Sequence, residues 1–386
     1  MKGIKKVMSL FLCAVLIAAF PCMGAAAKQE EIPLDAKAAV LMDISSGKVL
    51  YGKQEHKQLF PASITKVMSL ILVMEALESG ELKLTDMVTA SKNAVSYGGS
   101  QIWLKEGESM SVDDMLKAVV VSSANDACTA LGEHVAGTSD AFVARMNEKA
   151  KALGMRDTHF ENCTGLDDSQ TKHLSTAFDV ALMSAELMRH ELIQSYSTIW
   201  MDTLRGGETM LVNTNKLVRT FEGCIGLKTG TTSKAGFCVS AVADRDGTTL
   251  CAVILGAENS DERFHSAARL LEYGFSGYET AFPTVNLSQS GEVKVLGGTA
   301  HTAHIAPASE QTAFTVAKGE KNKVESKITL KKSVSAPVEK GAILGRADFF
   351  LNEKKIGSED IINTKYIGRL TFWQAMREVV ESLSRR

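Results

Sequence analysis

The stretch PASITKVMS, residues 61–69, places a serine and a lysine three residues apart at the start of an apolar run. On a helix such residues share a face, so Ser63 Oγ and Lys66 Nζ can meet. Two interpretations fit this stretch alone: Ser63 caps the helix, or it is a nucleophile with Lys66 as its base. A lysine base must be neutral, which requires burial or nearby positive charge. The rest of the chain has to decide.

Strands are expected on both sides of the helical region that this stretch begins. Alternating apolar residues predict strands at 38–43 and 48–52, and again at 235–243 and 248–257. Capping residues and apolar periodicity predict helices that start at Ser63, Ser111, Thr138 and Thr176, the last with Asp179 completing a capping box. Strands from both ends of one domain predict an α+β fold, with one antiparallel sheet covered by helices and a helical cluster beside it.

The N-terminus has the composition of a targeting segment. Three lysines precede the apolar run 7–20, and small residues predict a cut between Ala27 and Lys28. The run is shorter than the roughly 20 residues of a membrane span. Residues 1–27 are therefore predicted to be a signal peptide of an exported protein, followed by a domain at 28–280.

The chain changes character after residue 280. Residues 281–365 are rich in Val, Thr, Gly and Lys in short alternating runs, which predicts a small all-β domain. Residues 366–386 are amphipathic at helical spacing, carry Trp373 and hold four arginines against two glutamates. In an exported chain this favours a helix lying in a membrane interface. A helix packed on its own domain is the alternative.

Composition excludes several classes of function. The formal net charge is −2 with no basic block, so no nucleic-acid partner is expected. The eight histidines form no ligand spacing, so neither a metal nor another cofactor is expected. Five cysteines follow residue 27, an odd number at scattered spacings, which predicts buried free thiols rather than disulfides. They are Cys128, Cys163, Cys224, Cys238 and Cys251.

Two further short motifs carry polar groups suited to catalysis. SSANDA supplies Ser123 and Asn125, which read either as a polar helix end or as a proton relay with a substrate-binding carboxamide. GLKTG supplies Lys228, Thr229 and Gly230, which read either as a loop with a solvated lysine or as a carboxylate site that a ligand backbone can approach closely. Each motif is weak alone.

The order of the three motifs changes their weight. Ser123 follows Ser63 by 60 positions, and Lys228 lies about 100 positions after Asn125. This set resembles that of penicillin-binding proteins and class A β-lactamases. Residues 38–275 resemble the low-molecular-weight penicillin-binding proteins, the serine D-alanyl-D-alanine carboxypeptidases, in PASITKVMS, SSANDA, GLKTGTTSKAGFC and AVILGAENSDERFHSA. The all-β region and the terminal helix resemble that family's C-terminal domain and membrane anchor.

The resemblance implies a role for each residue of the first two motifs. Ser63 would attack the penultimate D-Ala carbonyl of a peptidoglycan stem peptide ending in D-Ala-D-Ala, and Lys66 would take its proton. Ser123 would relay a proton to the leaving D-Ala, and Asn125 would hold the substrate amide. β-Lactams would acylate Ser63. Activity at the outer face of the cytoplasmic membrane is also implied.

The third motif would bind the other end of the substrate. The resemblance implies that Lys228 and Thr229 hold the terminal carboxylate while Gly230 allows close approach. The backbone N–H groups of Ser63 and Thr231 would form the oxyanion hole. Thr231 departs from the family, in which histidine or another larger residue is frequent here.

Three alternatives stay open at this stage. A β-lactamase or a DD-endopeptidase would share the fold. A catalytically inactive wall-binding or scaffold protein would share the general pattern of strands and helices. Class A β-lactamases carry a loop glutamate followed by Leu-Asn, whereas Glu161 is followed by Asn162-Cys163-Thr164. Cys163 stands where relatives usually have proline, so the deacylation rate is expected to differ.

Overall fold

The structure, a computed structural model, describes residues 32–167, 172–309 and 311–384, so the predicted signal peptide lies outside the described residues. Up to residue 281 the strands are β1 (Ala38–Asp43), β2 (Lys48–Lys53), β3 (Met87–Thr89), β4 (Ser109–Ser111), β5 (Met201–Leu204), β6 (Thr209–Val212), β7 (Cys224–Thr232), β8 (Gly236–Arg245), β9 (Thr248–Ala257) and β10 (Tyr278–Ala281). The helices there are α1 (Lys66–Glu78), α2 (Lys92–Val95), α3 (Val112–Val121), α4 (Asn125–Ala136), α5 (Ser139–Ala152), α6 (Ala177–Leu187), α7 (Leu192–Ser197), α8 (Leu217–Thr220) and α9 (Ser260–Gly277).

The central sheet has five antiparallel strands in the order β2-β1-β9-β8-β7. Strands from both ends of the region meet where β1 pairs with β9, which confirms the α+β prediction. Every residue of β1 is buried, because α9 and α6 both pack against the sheet. The edge strand β7 was not predicted as a strand.

The core helix α1 is apolar on nearly every face, so it packs at the centre of the helical cluster rather than at its surface. The predicted caps at Ser111 and Thr138 are confirmed, since each side chain accepts a hydrogen bond from the backbone N–H three residues on. Thr176 caps α6 in the same way. The capping box is only half present, because the Asp179 carboxylate instead accepts hydrogen bonds from the 157 N–H and the 158 hydroxyl.

The C-terminal part contains β11 (Lys294–Leu296), β12 (Ile305–Pro307), β13 (Phe314–Ala317), β14 (Val324–Leu330), β15 (Ser333–Ser335), β16 (Ile343–Leu351), β17 (Lys354–Asn363) and α10 (Phe372–Ser384). Its main sheet has the order β12-β17-β16-β14 around buried Ala347, Phe349 and Ile361. The all-β prediction is confirmed. β10 spans the expected boundary at residue 280 and pairs with β13.

The terminal helix α10 begins at Phe372, later than the expected residue 366. The preceding residues stay extended because Ile367 pairs with Val338 and the Leu370 N–H donates to the Gly297 carbonyl. Four large apolar side chains in its described part are exposed rather than packed on the β domain: Phe372, Trp373, Met376 and Val380. Within the described residues, no helix combines the length and apolar character needed to cross a bilayer.

Candidate active site

The serine of PASITKVMS lies in a tight turn and does not cap a helix. Residues 62–65 form a single 3₁₀ turn, and α1 starts only at Lys66. No side chain caps either start, so the capping interpretation of Ser63 is wrong. In a 3₁₀ turn, residues i and i+3 eclipse each other. The turn therefore brings Lys66 Nζ to 2.9 Å from Ser63 Oγ.

Lys66 is fully buried, with three oxygens around its nitrogen. Besides Ser63 Oγ, Nζ contacts Asn125 Oδ1 at 2.6 Å and the Thr164 carbonyl at 2.8 Å. Burial lowers the pKa of Lys66 from 10.5 to about 8. A neutral amine keeps two N–H donors and gains a lone pair. The two carbonyl-type acceptors can hold the donors, which leaves the lone pair for the Ser63 hydroxyl proton.

The SSANDA motif forms the second side of the site, next to the serine turn and Lys66. Asn125 is the first residue of α4, and its backbone N–H and Nδ2 bind the carbonyls of Ser100 at 2.7 Å and Gly98 at 2.6 Å. Its orientation is thereby fixed, with Oδ1 towards Lys66. Ser123 is buried in a left-handed turn, φ +64°, two residues earlier. It makes no direct hydrogen bond to Ser63 or Lys66 among the described residues.

The K-T-G residues lie within β7 and form the third side of the site. The interpretation of Lys228 as a solvated lysine in a loop is therefore wrong. Lys228 is buried, and burial together with repulsion from Lys66 holds its pKa well below the usual range. Thr229 Oγ1 donates to Thr214 Oγ1 at 2.7 Å. Gly230 lies so close to the serine turn that a Cβ there would stand 3.0 Å from Ser63 N and 2.9 Å from the Pro61 carbonyl. Only glycine allows this approach.

Thr231 lies at the exposed end of β7, one residue beyond the approach to Ser63. Arg263 Nη1, from the first turn of α9, donates to Thr231 Oγ1 at 3.0 Å and to the Gly230 carbonyl at 3.2 Å. The guanidinium also lies over the rings of Phe237 and Phe264. Arg263 therefore fixes the strand end and adds positive potential, which lowers the pKa of Lys228 further.

Besides Arg263, sequence reasoning missed two further groups that support the site. The Thr164 carbonyl reaches Lys66 because Gly165, φ +86°, packs directly on the serine turn: a Cβ there would lie 1.8 Å from the Ala62 carbonyl. His173 Nδ1 accepts from a backbone N–H, so Nε2 donates to Thr65 Oγ1 at 2.8 Å. The sequence does not show which backbone carbonyl will contact Lys66. Gly165, directly after Thr164, is the signal that could have indicated this close approach.

The five cysteines of the described residues are buried and free, as predicted for them. Cys163 lies beneath Lys66, where its carbonyl accepts from Ser69 Oγ at 2.8 Å and from Cys128 Sγ at 3.3 Å. These contacts tie the 162–167 loop to α1 and α4. Among the described residues, no group of three or more His, Cys, Asp or Glu side chains is arranged to hold a metal.

Comparisons with known proteins cover most of the chain. The family model described as D-alanyl-D-alanine carboxypeptidase matches residues 24–259, and that of the penicillin-binding protein 5 C-terminal domain matches residues 282–369. The D-alanyl-D-alanine carboxypeptidase DacF of Bacillus subtilis is 39% identical over 351 residues, 88% of this chain and 89% of that one. DacC of Escherichia coli is 35% identical, over 89% and 87% of the two chains.

Solved structures are similar over the same span. The crystal structure of penicillin-binding protein 5 from Haemophilus influenzae has a TM-score of 0.76 at 29% identity and covers 88% of this chain and 99% of its own. Penicillin-binding protein D2 from Listeria monocytogenes, in its cefotaxime-bound form, has a TM-score of 0.59 at 32% identity. It covers 64% of this chain and 100% of its own.

Proposed function

Because this chain belongs to the D-alanyl-D-alanine carboxypeptidase family and is a serine peptidase of that kind, we propose that Ser63 is the nucleophile that removes the terminal D-Ala of peptidoglycan stem peptides. The observation that carries the assignment is the 2.9 Å contact between Ser63 Oγ and the buried Lys66. A buried lysine beside a hydroxyl, with its other two donors occupied, is an activated nucleophile pair.

The acylation step follows from these contacts. Lys66, in its neutral form, takes the Ser63 proton as Oγ attacks the penultimate D-Ala carbonyl. The carbonyl C=O π bond opens, and the oxyanion lies between the backbone N–H groups of Ser63 and Thr231. Such a donor contributes about 3–4 kcal/mol to transition-state stabilisation. Support for this position is the close approach of β7 to the serine turn at Gly230.

The terminal carboxylate of the substrate is bound by the K-T-G side of the site. Lys228 and Thr229 supply the cation and the hydroxyl, and Arg263 adds positive charge beneath them. Lys66, Lys228 and Arg263 form one buried basic cluster, and their positive charges repel each other until an anion enters. A free C-terminal carboxylate is that anion, which favours a carboxypeptidase over an endopeptidase.

Collapse of the tetrahedral intermediate breaks the peptide C–N bond. The proton that Lys66 took from Ser63 passes through Ser123 to the leaving D-Ala amine, which returns Lys66 to its neutral form; the buried place of Ser123 two residues before Asn125 supports this relay. Water then attacks the acyl-enzyme, with Lys66 again the base. A β-lactam acylates Ser63 in the same way. The amine released when its ring opens stays covalently attached to the acyl group and cannot leave the site, so the ester persists.

Release of D-Ala tests the assignment. An acetylated Lys-D-Ala-D-Ala peptide should lose its last residue to the wild type, and Ser63→Ala should abolish this. Ser79→Ala, an exposed serine at the end of α1, is the matched control and should retain the activity. The same peptide with a C-terminal amide should react far more slowly, because Lys228 loses its partner. Rapid turnover of penicillin without D-Ala release would instead identify a β-lactamase.

The location of the enzyme is a separate proposal. We propose a signal peptide at residues 1–27, a catalytic domain at 28–280, an all-β domain at 281–365 and a tail whose helix, α10, lies on the outer face of the cytoplasmic membrane. The exposed Trp373 and Met376 support this placement. Deleting residues 372–386 should abolish sedimentation with anionic lipid vesicles and leave D-Ala release intact. Sedimentation that survives the deletion would contradict the anchor.

A further inference from the structure

An exposed apolar surface borders the catalytic cleft and has no role in the chemistry described above. Its members, called here the Trp103 surface, are Trp103, 74% exposed, Met210, 65%, Met201, 52%, and Val212, 43%. Grouped exposed apolar side chains on a soluble domain commonly mark a binding site for a ligand or partner. Their number and their position beside the active site make this surface a candidate binding site.

The indole of Trp103 is held out towards solvent by a fixed backbone. Trp103 has a left-handed φ of +58°, which is strained for a large side chain. Its neighbours are pinned, because the N–H groups of Ile102 and Leu104 both bind the Asp126 carboxylate, at 3.2 and 3.0 Å. Both neighbours are buried. Strain that the surroundings enforce is typical of ligand-binding positions.

The β5–β6 hairpin supplies the rest of the surface from one face. Met201 lies opposite Val212 and Thr203 opposite Met210, and all four are exposed. Leu204 and Leu211 point to the other face, where they are buried. A cavity of about 670 Å³ lies between this hairpin and the Trp103 loop, and charged groups line it beside the apolar ones: Lys105, Glu108, Arg205 and Glu208.

The two chain segments beside this cavity, the Trp103 loop and strand β6, continue directly into the active site. On one side the Ser100 carbonyl binds the Asn125 N–H, and Trp103 follows three residues later. On the other, Val212 precedes by two residues Thr214, which accepts from the K-T-G Thr229. At 3.3–3.6 Å per extended residue, Trp103 lies within about 10 Å of Ser100 and Val212 within about 7 Å of Thr214.

We propose that the Trp103 surface binds the glycan part of peptidoglycan while the stem peptide occupies the catalytic cleft. This rests on the proposed function. Four stem residues separate the scissile bond from the sugar and span on the order of 14 Å, which reaches this rim. The CH faces of pyranose rings stack on indole and methionine side chains, and the charged residues around the cavity suit sugar hydroxyl and N-acetyl groups.

Paired substrates test the proposal. The measured quantity is the ratio of kcat/KM for a disaccharide pentapeptide to that for an acetylated Lys-D-Ala-D-Ala peptide. Trp103→Asn removes the ring while asparagine tolerates the left-handed backbone. We expect it to lower the ratio about five- to tenfold, the usual scale of one aromatic contact. Trp103→Phe should keep most of the ratio, and Met210→Asn should lower it less than Trp103→Asn does.

Met87→Asn is the matched control, since Met87 is a similarly exposed strand methionine on β3 and should keep the wild-type ratio. An unchanged ratio in Trp103→Asn would overturn the proposal. A fall in kcat/KM that is equal for both substrates would also overturn it, because the indole would then act through Asn125. Absence of D-Ala release by the wild type from either substrate would refute the proposed function instead.

Discussion

The pH dependence of acylation follows from the burial of Lys66. With an ordinary pKa of 10.5, roughly 3 lysines in 10,000 would be neutral at pH 7, whereas a pKa of about 8 makes about one in eleven neutral. Burial therefore raises the concentration of the base about 300-fold. Because only the neutral amine accepts the Ser63 proton, the acylation rate should rise with pH and level off above about pH 8.

The assay is stopped-flow acylation by a saturating β-lactam between pH 5.5 and 9.5. Saturation removes the effect of Lys228 on ligand binding from the measured rate. Between pH 6 and pH 8 the rate should increase about 50-fold, which is the change in the neutral fraction of a base with this pKa.

Lys66→Arg separates the base from its charge. A guanidinium stays protonated at every pH of the assay. We therefore expect the variant to lose at least about a thousandfold in rate, together with the pH-dependent limb, since removal of a general base costs on this scale. Lys149→Arg, on α5, where the lysine makes ion pairs with Glu75 and Glu186 and contacts no residue of the site, should behave as wild type. An acylation rate that still rises about tenfold per pH unit up to pH 9.5, or rapid acylation of Lys66→Arg, would refute this reasoning.

Two other expectations concern the support of the site. Gly165→Ala should abolish acylation and lower the free energy of unfolding by roughly 2–3 kcal/mol, because its Cβ meets the Ala62 carbonyl. Gly154→Ala, with φ +75° and open space, should cost only about 1 kcal/mol and keep the acylation rate. Burial lowers the pKa of His173 from 6.5 to about 4, so the unfolded chain binds the extra proton and stability should fall as pH drops through this window, by about 3 kcal/mol in total. His173→Gln should lose most of that pH dependence in denaturant unfolding, and an unchanged slope would contradict it.

The sheet could be predicted from sequence where its strands follow local rules. β1, β8 and β9 are apolar runs bounded by turn residues, and the caps of α3 and α5 are set by one side chain each. β7 escaped prediction because GLKTG lacks apolar alternation and a lysine beside two glycines is typical of a solvated loop. Its pairing with β8 and the burial of Lys228 come from contacts distant in sequence.

The nucleophile assignment has the same limit. The roles proposed for Ser63, Lys66 and Asn125 rest on the fixed order of the motifs in the sequence. The contacts of the Thr164 carbonyl, 98 residues from Lys66, and of Arg263 with Thr231 could not be predicted, because a tertiary approach creates them. The later start of α10 likewise reflects the pairing of residue 367 with β-domain backbone, which amphipathic periodicity does not register.

The central claim is that Ser63 forms the acyl-enzyme. The most direct measurement is the intact mass of the full chain after incubation with penicillin, followed by peptide mapping of the adduct. The account predicts one added penicilloyl group on the peptide that contains Ser63, and none in Ser63→Ala. An adduct mapped to Ser123 or to any other residue, or no adduct in a folded wild-type protein, would contradict it.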